Sequence, residues 1–148
     1  MKIRISLFLL ILVLAASSSL TAHASGCSNS AIRGSYAFTI HGQIFPPDGS
    51  TPLLIDGLAK TTFDGNGHLT QLDAVAANGN VAPGWARNKG TYSVNPDCTG
   101  TMTVSNGDNP LVHLQIIVSD SGNTIHDMVI DPGFATTAEA ERVRAPRK

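Results

Sequence analysis

The sequence predicts an all-β protein, an up-and-down antiparallel barrel of about eight strands. Three observations lead there. From residue 25 onward, apolar and polar residues alternate in short runs, the period of a half-buried strand. Gly, Asn, Asp and Pro recur between the runs, where backbone must bend. Gly57, Gly84, Gly90 and Gly100 fall where the strands of a curled sheet would bend, which favours closure over the alternative of a two-sheet sandwich. Closure also removes the unpaired edges that invite aggregation.

Residues 34–40 form the first expected strand, with Tyr36, Phe38 and Ile40 on one face and Ala37, Thr39 and His41 on the other. Residues 45–52 contain three prolines and read as a loop at a barrel mouth. Residues 53–63 are the second strand, with Ile55, Gly57, Ala59, Thr61 and Phe63 sharing a face. Asp64-Gly65-Asn66-Gly67 turns the chain tightly, because Gly and Asn tolerate positive φ. Residues 68–77 return as the third strand, Asn78-Gly79-Asn80 reverses the chain, and residues 81–94 hold the fourth strand, interrupted at Pro83-Gly84.

The most distinctive stretch is 90–104, two strands around a turn made by Asn95, Pro96, Asp97 and Gly100, with Cys98 inside the turn. Tyr92 and Val94 share the face expected to be interior, so the Tyr92 hydroxyl needs a buried hydrogen-bond partner. Residues 99–104 are the fifth strand, 111–119 the sixth and most aliphatic, and 124–130 the seventh. Residues 136–143 are an eighth strand or, since Ala138-Glu139-Ala140-Glu141-Arg142 are good helix formers, a short terminal helix.

Residues 1–24 read as a secretory signal. Lys2 and Arg4 precede an apolar run over residues 5–16, too short for the roughly 20 residues of a membrane span, and Ala22-His23-Ala24 places small residues at a cleavage site. The expected mature domain is therefore 25–148, secreted or periplasmic, with no stable membrane anchor once the signal is removed. Lipidation at Cys27 is a rival reading, but the bulky aliphatic residue usual three positions before such a cysteine is missing. In an oxidising compartment the two cysteines, Cys27 and Cys98, are expected to bond to each other.

Acidic residues outnumber basic ones by 11 to 10, and the signal takes two of the basic residues with it. Arg142, Arg144, Arg147 and Lys148 crowd the last seven positions and read as a solvated terminus. An acidic body argues against a nucleic-acid partner.

Several motifs together carry a resemblance: C-S-N at 27–29, G-S-Y-A-F at 34–38, T-T-F-D-G-N-G-H-L-T at 61–70, G-T-Y-S-V-N-P-D-C-T-G at 90–100, and the Asp131-Pro132-Gly133 region. They resemble an uncharacterised family of small secreted bacterial proteins, over most of residues 27–142. The resemblance implies a calycin-like barrel, similar to lipocalins and allene oxide cyclase, with the cysteines paired. These are strand and turn motifs, and they name no chemistry. The lipocalin G-x-W signature is absent, because Gly34 is followed by Ser35-Tyr36.

Chemistry is sparse. His41, His68, His113 and His126 lack the close spacing of a zinc motif, and no metal or cofactor is expected. His126 and Asp127 are adjacent, so on a strand they point to opposite faces and form no dyad. The turn at 64–67 begins like a calcium loop, but Val75 stands where a bidentate Glu is needed. No nucleophile elbow or P-loop occurs.

What remains is a barrel interior lined by Tyr36, Phe38, Phe63, Trp85, Tyr92 and Met102, with Asp56, Asp73 or His113 as its polar groups. Aromatic residues are only 5% of the chain, and this favours an interior filled by its own side chains over a hollow one. The expected function is a non-catalytic exported barrel that binds a small apolar ligand or serves a surface role. A barrel isomerase or cyclase resembling allene oxide cyclase is the enzymatic alternative.

Overall fold

A computed structural model of the chain describes residues 26–144. The expected signal at 1–24, its cleavage site, and Arg147 and Lys148 lie outside the described residues. The strands are β1 (Gly34–Ile44), β2 (Leu53–Phe63), β3 (His68–Ala77), β4 (Asn80–Val81), β5 (Ala86–Val94), β6 (Thr99–Asn106), β7 (Asn109–Ser119), β8 (Thr124–Val129) and β9 (Phe134–Arg142). Eight of them form a closed antiparallel barrel in the order β2-β1-β9-β8-β7-β6-β5-β3, with β3 pairing back to β2. The two-residue β4 is an appendage on the end of β3, pairing Ala76 with Val81.

Closure depends on β1. It pairs along its whole length with β2, from Gly34 opposite Phe63 to Ile44 opposite Leu53. On its other side it pairs with β9, from Tyr36 opposite Arg142 to Ile44 opposite Phe134. This second pairing settles the terminal segment as strand. Local propensity at 138–142 favours helix, but Thr136 and Ala140 are buried on the inward face, and β1 and β8 each need the partner that β9 supplies. β1 also runs four residues beyond its expected end.

The fourth expected strand starts later than residue 81. Pro83 has no amide to donate and Gly84 has a φ of +81°, so the ladder resumes only at Ala86. Gly84 therefore lies in a connection and not at a strand bend. Gly90 and Gly100 do serve close approach: a Cβ on either would run into the carbonyl oxygen of Thr103 or Ser93 on the paired strand.

The barrel has two unlike ends. The turns at 64–67 and 95–98, and a short 3₁₀ turn at Asp120–Gly122, gather at one end, here the floor. The longer connections at 45–52 and 82–85, with those at 107–108 and 130–133, gather at the other. A second 3₁₀ turn, Asn29–Ile32, precedes β1 and plugs the floor with the fully buried Ile32. The Cys27–Cys98 disulfide, with Cα atoms 4.9 Å apart, ties this plug to the β5–β6 hairpin. The Asn29 side chain reinforces the tie by accepting the Val94 amide at 2.7 Å.

Just above the plug, Tyr36, Phe63 and Tyr92 pack edge to face, with centroid separations of 5.5 and 4.8 Å. Tyr92 is buried beside Val94, as its alternation predicts, and its hydroxyl accepts the Gly65 amide at 2.8 Å and donates to the Asn29 carbonyl at 3.3 Å.

Arg142 departs from the sequence reading. It is not part of a solvated tail. Its guanidinium lies 4.8 Å over the Tyr36 ring and donates to the carbonyls of Ala31, Arg33 and Gly122 and to the Asn123 side chain. The Tyr36 hydroxyl also donates to the Gly122 carbonyl.

Tyr92→Ala is expected to cost about 3 to 5 kcal/mol in denaturant unfolding of the oxidised protein, the range for losing a large buried aromatic. Arg142→Met keeps the stem but removes the donor to the Ala31 and Arg33 carbonyls and the cation over Tyr36, and should cost at least about 2 kcal/mol. Losses below about 1 kcal/mol, the size of a surface change, would contradict this account of the floor.

Candidate functional site

The interior is divided by side-chain size. In the floor half, Tyr36, Phe63, Leu69, Tyr92, Ile116, Val118 and Ile125 form one buried cluster with Ile32 of the plug, and none of them lines the cavity above. In the other half the inward positions carry smaller groups such as Ala59, Ala138, Val104 and Val129, and a cavity of about 220 Å³ remains. All eight barrel strands contribute to its walls. Phe38, Ile40 and Ile44 come from β1, Met102 and Val104 from β6, Leu114 from β7, and Phe134 from β9. The interior is thus filled by its own side chains over one half only.

Leu111 belongs both to the cavity wall and to the outer surface, so the cavity reaches the loop end. Around that end Phe45, Val81, Trp85 and Ile130 are also exposed and form an apolar rim.

Two polar groups face into this apolar space from opposite walls. The first is a chain of hydrogen bonds on β2, β3 and β5. The Thr61 hydroxyl donates to Gln71 Oε1 at 2.9 Å, Gln71 Nε2 donates to Asp73 Oδ2 at 2.9 Å, and Asn88 Nδ2 donates to the same oxygen at 2.6 Å. The Asp73 carboxylate fixes both amide orientations, because only their NH₂ ends can face it. That leaves Asn88 Oδ1 buried with no partner.

The second polar group is Asp127 on β8. β8 lies four strands from β3 in either direction round the barrel, so it is the opposite wall. Asp127 is 9% exposed, and among the described residues no side chain hydrogen-bonds its carboxyl. Burial pushes that carboxyl up to about 7, opposed only by a hydrogen bond from the Ala138 amide.

Phe38, Asp73 and Met102 line the cavity, while Tyr36, Phe63 and Tyr92 form the packed layer beneath it. Three candidates lie elsewhere. Asp56 sits between the inward-facing Ile55 and Gly57, so it points outward, where it bonds His41 at 2.8 Å. His113, between Val112 and Leu114, is likewise outside and held by Asp131 through its backbone amide at 2.7 Å and Nδ1 at 2.9 Å. Trp85 belongs to the connection before β5 and is 57% exposed.

Sequence reasoning missed Gln71, Asn88 and Asp127. Two of them had a readable signal. Leu69, Gln71, Asp73 and Val75 share one face of β3, and Ile125, Asp127 and Val129 share one face of β8, so a polar residue stands within each apolar row. His126, on the outer face, lies 3.7 Å from Glu139 and forms no pair with Asp127. Among the described residues no three His, Cys, Asp or Glu side chains gather as a metal site.

The fold and site define a class: a closed eight-stranded up-and-down barrel, disulfide-tied at a packed floor and hollow toward its loop end. Comparison with protein-family models, with curated proteins and with solved structures finds no match.

The carboxyl of Asp127 has a consequence for stability. Its native pKa is raised above the unfolded value of about 3.9, so between those limits the native state keeps a proton that the unfolded chain has released. Its contribution to stability is full below about pH 4, is lost as pH rises toward 7, and is level above. The loss is up to roughly 4 kcal/mol at about 1.4 kcal/mol per pKa unit. Exposed turn carboxylates such as Asp64 and Asp97, held low by hydrogen bonds from the Asn66 amide and the Thr99 hydroxyl, titrate in variant and native protein alike. Asp127→Asn should therefore gain stability relative to the native protein as pH rises from 4 to 7.5 in denaturant unfolding. Parallel profiles would contradict the assignment.

Proposed function

We propose that the protein is an exported, non-catalytic barrel that binds a small apolar molecule in the hollow half of its interior. The observation that carries this reading is the cavity itself. Its volume exceeds the ~150 Å³ that accepts benzene in an engineered apolar cavity, its walls are mostly aliphatic, and its mouth has an apolar rim. The signal-like pattern at 1–24 supports export, and the Cys27–Cys98 bridge is compatible with an oxidising compartment. Closure of eight strands in sequential up-and-down order supports the calycin-like kinship that the motifs suggest.

The isomerase or cyclase reading draws support from one observation, an acid in an apolar cavity that titrates near neutrality. Among the described residues it lacks a second catalytic group beside Asp127, since Asp73 stands on the opposite wall and already accepts two amides. Binding is the reading that the geometry favours.

Ligand-observed NMR with toluene and indole tests it. The native protein is expected to bind one or both saturably, with sub-millimolar affinity. Ala59→Phe, which projects a ring from β2 into the cavity, should weaken binding at least tenfold. Equal binding by the variant, or no saturable binding by the native protein, would overturn the reading.

A further inference from the structure

The hydrogen-bond inventory of the cavity walls is one-sided. Among the described residues that line the cavity, the Gln71 and Asn88 amides each commit one N–H to Asp73, and the Thr136 hydroxyl donates to the Gln43 carbonyl at 3.4 Å. The Gln71 carbonyl oxygen is also satisfied, by Thr61. Among the described residues the buried side-chain atom left without a partner is an acceptor, Asn88 Oδ1, and the carboxyl of Asp127 is met by the Ala138 amide alone.

Among the described residues no cation faces them. The neighbours of β8 present Leu114 and Ile116 from β7, and Thr136, Ala138 and Ala140 from β9. His126 and Glu139 are on the outer face, and across the cavity the other charged group is Asp73. A buried carboxylate without a counter-charge is costly, and so is a buried acceptor without a donor.

We propose that the ligand is a small amine, a protonated primary or secondary ammonium on an apolar body of about eight to twelve heavy atoms, its nitrogen paired with Asp127. The proposal rests on the ligand-binding reading above and adds the chemistry of the recognised group. The apolar body occupies the space among Phe38, Ile55, Met102 and Val129, and a further donor on the ligand would meet Asn88 Oδ1 on the far wall. Near neutrality the Asp127 carboxyl holds a proton in part of the population. An incoming ammonium displaces it to solvent, so the carboxylate binds as the anion and charge balances within the site. A ligand anion would meet two carboxyl groups and, among the described residues that line the cavity, no cation.

Calorimetry at pH 7 with three probes of matched shape tests the proposal: phenethylamine, the neutral propylbenzene and the anionic phenylacetate. The amine is expected to bind at least tenfold more tightly than propylbenzene, with phenylacetate weakest. Repeating the amine titration in buffers of different ionisation enthalpy should show fractional proton release. In Asp127→Asn the affinity ratio of amine to neutral probe should fall to near one and the proton release should vanish. If propylbenzene binds as tightly as phenethylamine, the amine assignment is overturned while the apolar pocket stands. If none of the three binds, both readings fall together.

Discussion

The guanidinium of Arg142 gathers three separate segments of the chain at one point. Ala31 and Arg33 belong to the plug before β1, Gly122 and Asn123 to the turn before β8, and Arg142 itself to the last strand. Carbonyls at the ends of short 3₁₀ turns have no partner within the turn, and burying them unmet would cost about 1 to 3 kcal/mol each. Only a planar cation with five donors can meet several of them from a single side chain, and it also stacks on Tyr36. The plug is thus held by hydrogen bonds on one side and by the Cys27–Cys98 bridge on the other. With the plug fixed, the three aromatic rings have a flat base to pack on, and that end of the barrel is shut.

A shut floor makes the opposite end matter. Eight strands enclose an interior that bulky side chains can fill. Here three aromatic rings, Tyr36, Phe63 and Tyr92, stand in one layer near the floor, and in the layers above Ala59 and Ala138 stand among Phe38, Phe134, Met102 and medium aliphatic residues. The remaining space is apolar apart from two opposed polar walls. The packed core and the open volume are therefore separated along the barrel axis. The acid at position 127 sits in the hollow half, where its burial costs stability at neutral pH and the Ala138 amide offsets only part of that cost.

Much of this was legible in the sequence, and the residues that were not share a cause. The alternation of Tyr36, Phe38 and Ile40, or of Tyr92 and Val94, reports which face is inward because the side-chain period of a strand is two. Turn residues such as Asp64-Gly65-Asn66-Gly67 report where strands end. Both signals are local. Arg142 bonds to residues about 110 positions away, and nothing near it in sequence marks it as different from Arg144. Asp56 and His113 were expected inside on chemistry, but their neighbours Ile55 and Leu114 already assign them to the outer face. The segment 138–142 shows the reverse case, in which a local preference for helix yields to the pairing that closes the barrel.

The central claim is that the interior is solid at the floor and hollow toward the loops. Xenon enters dry apolar cavities and leaves close-packed cores untouched, so its effect on methyl resonances tests that division directly. With the oxidised protein under xenon pressure, the methyl signals of Ile55, Val104, Leu114 and Val129 should shift progressively and saturate. Those of Ile32, Ile116, Val118 and Ile125 should move little. Shifts spread evenly over both sets, or confined to the floor set, would contradict the account.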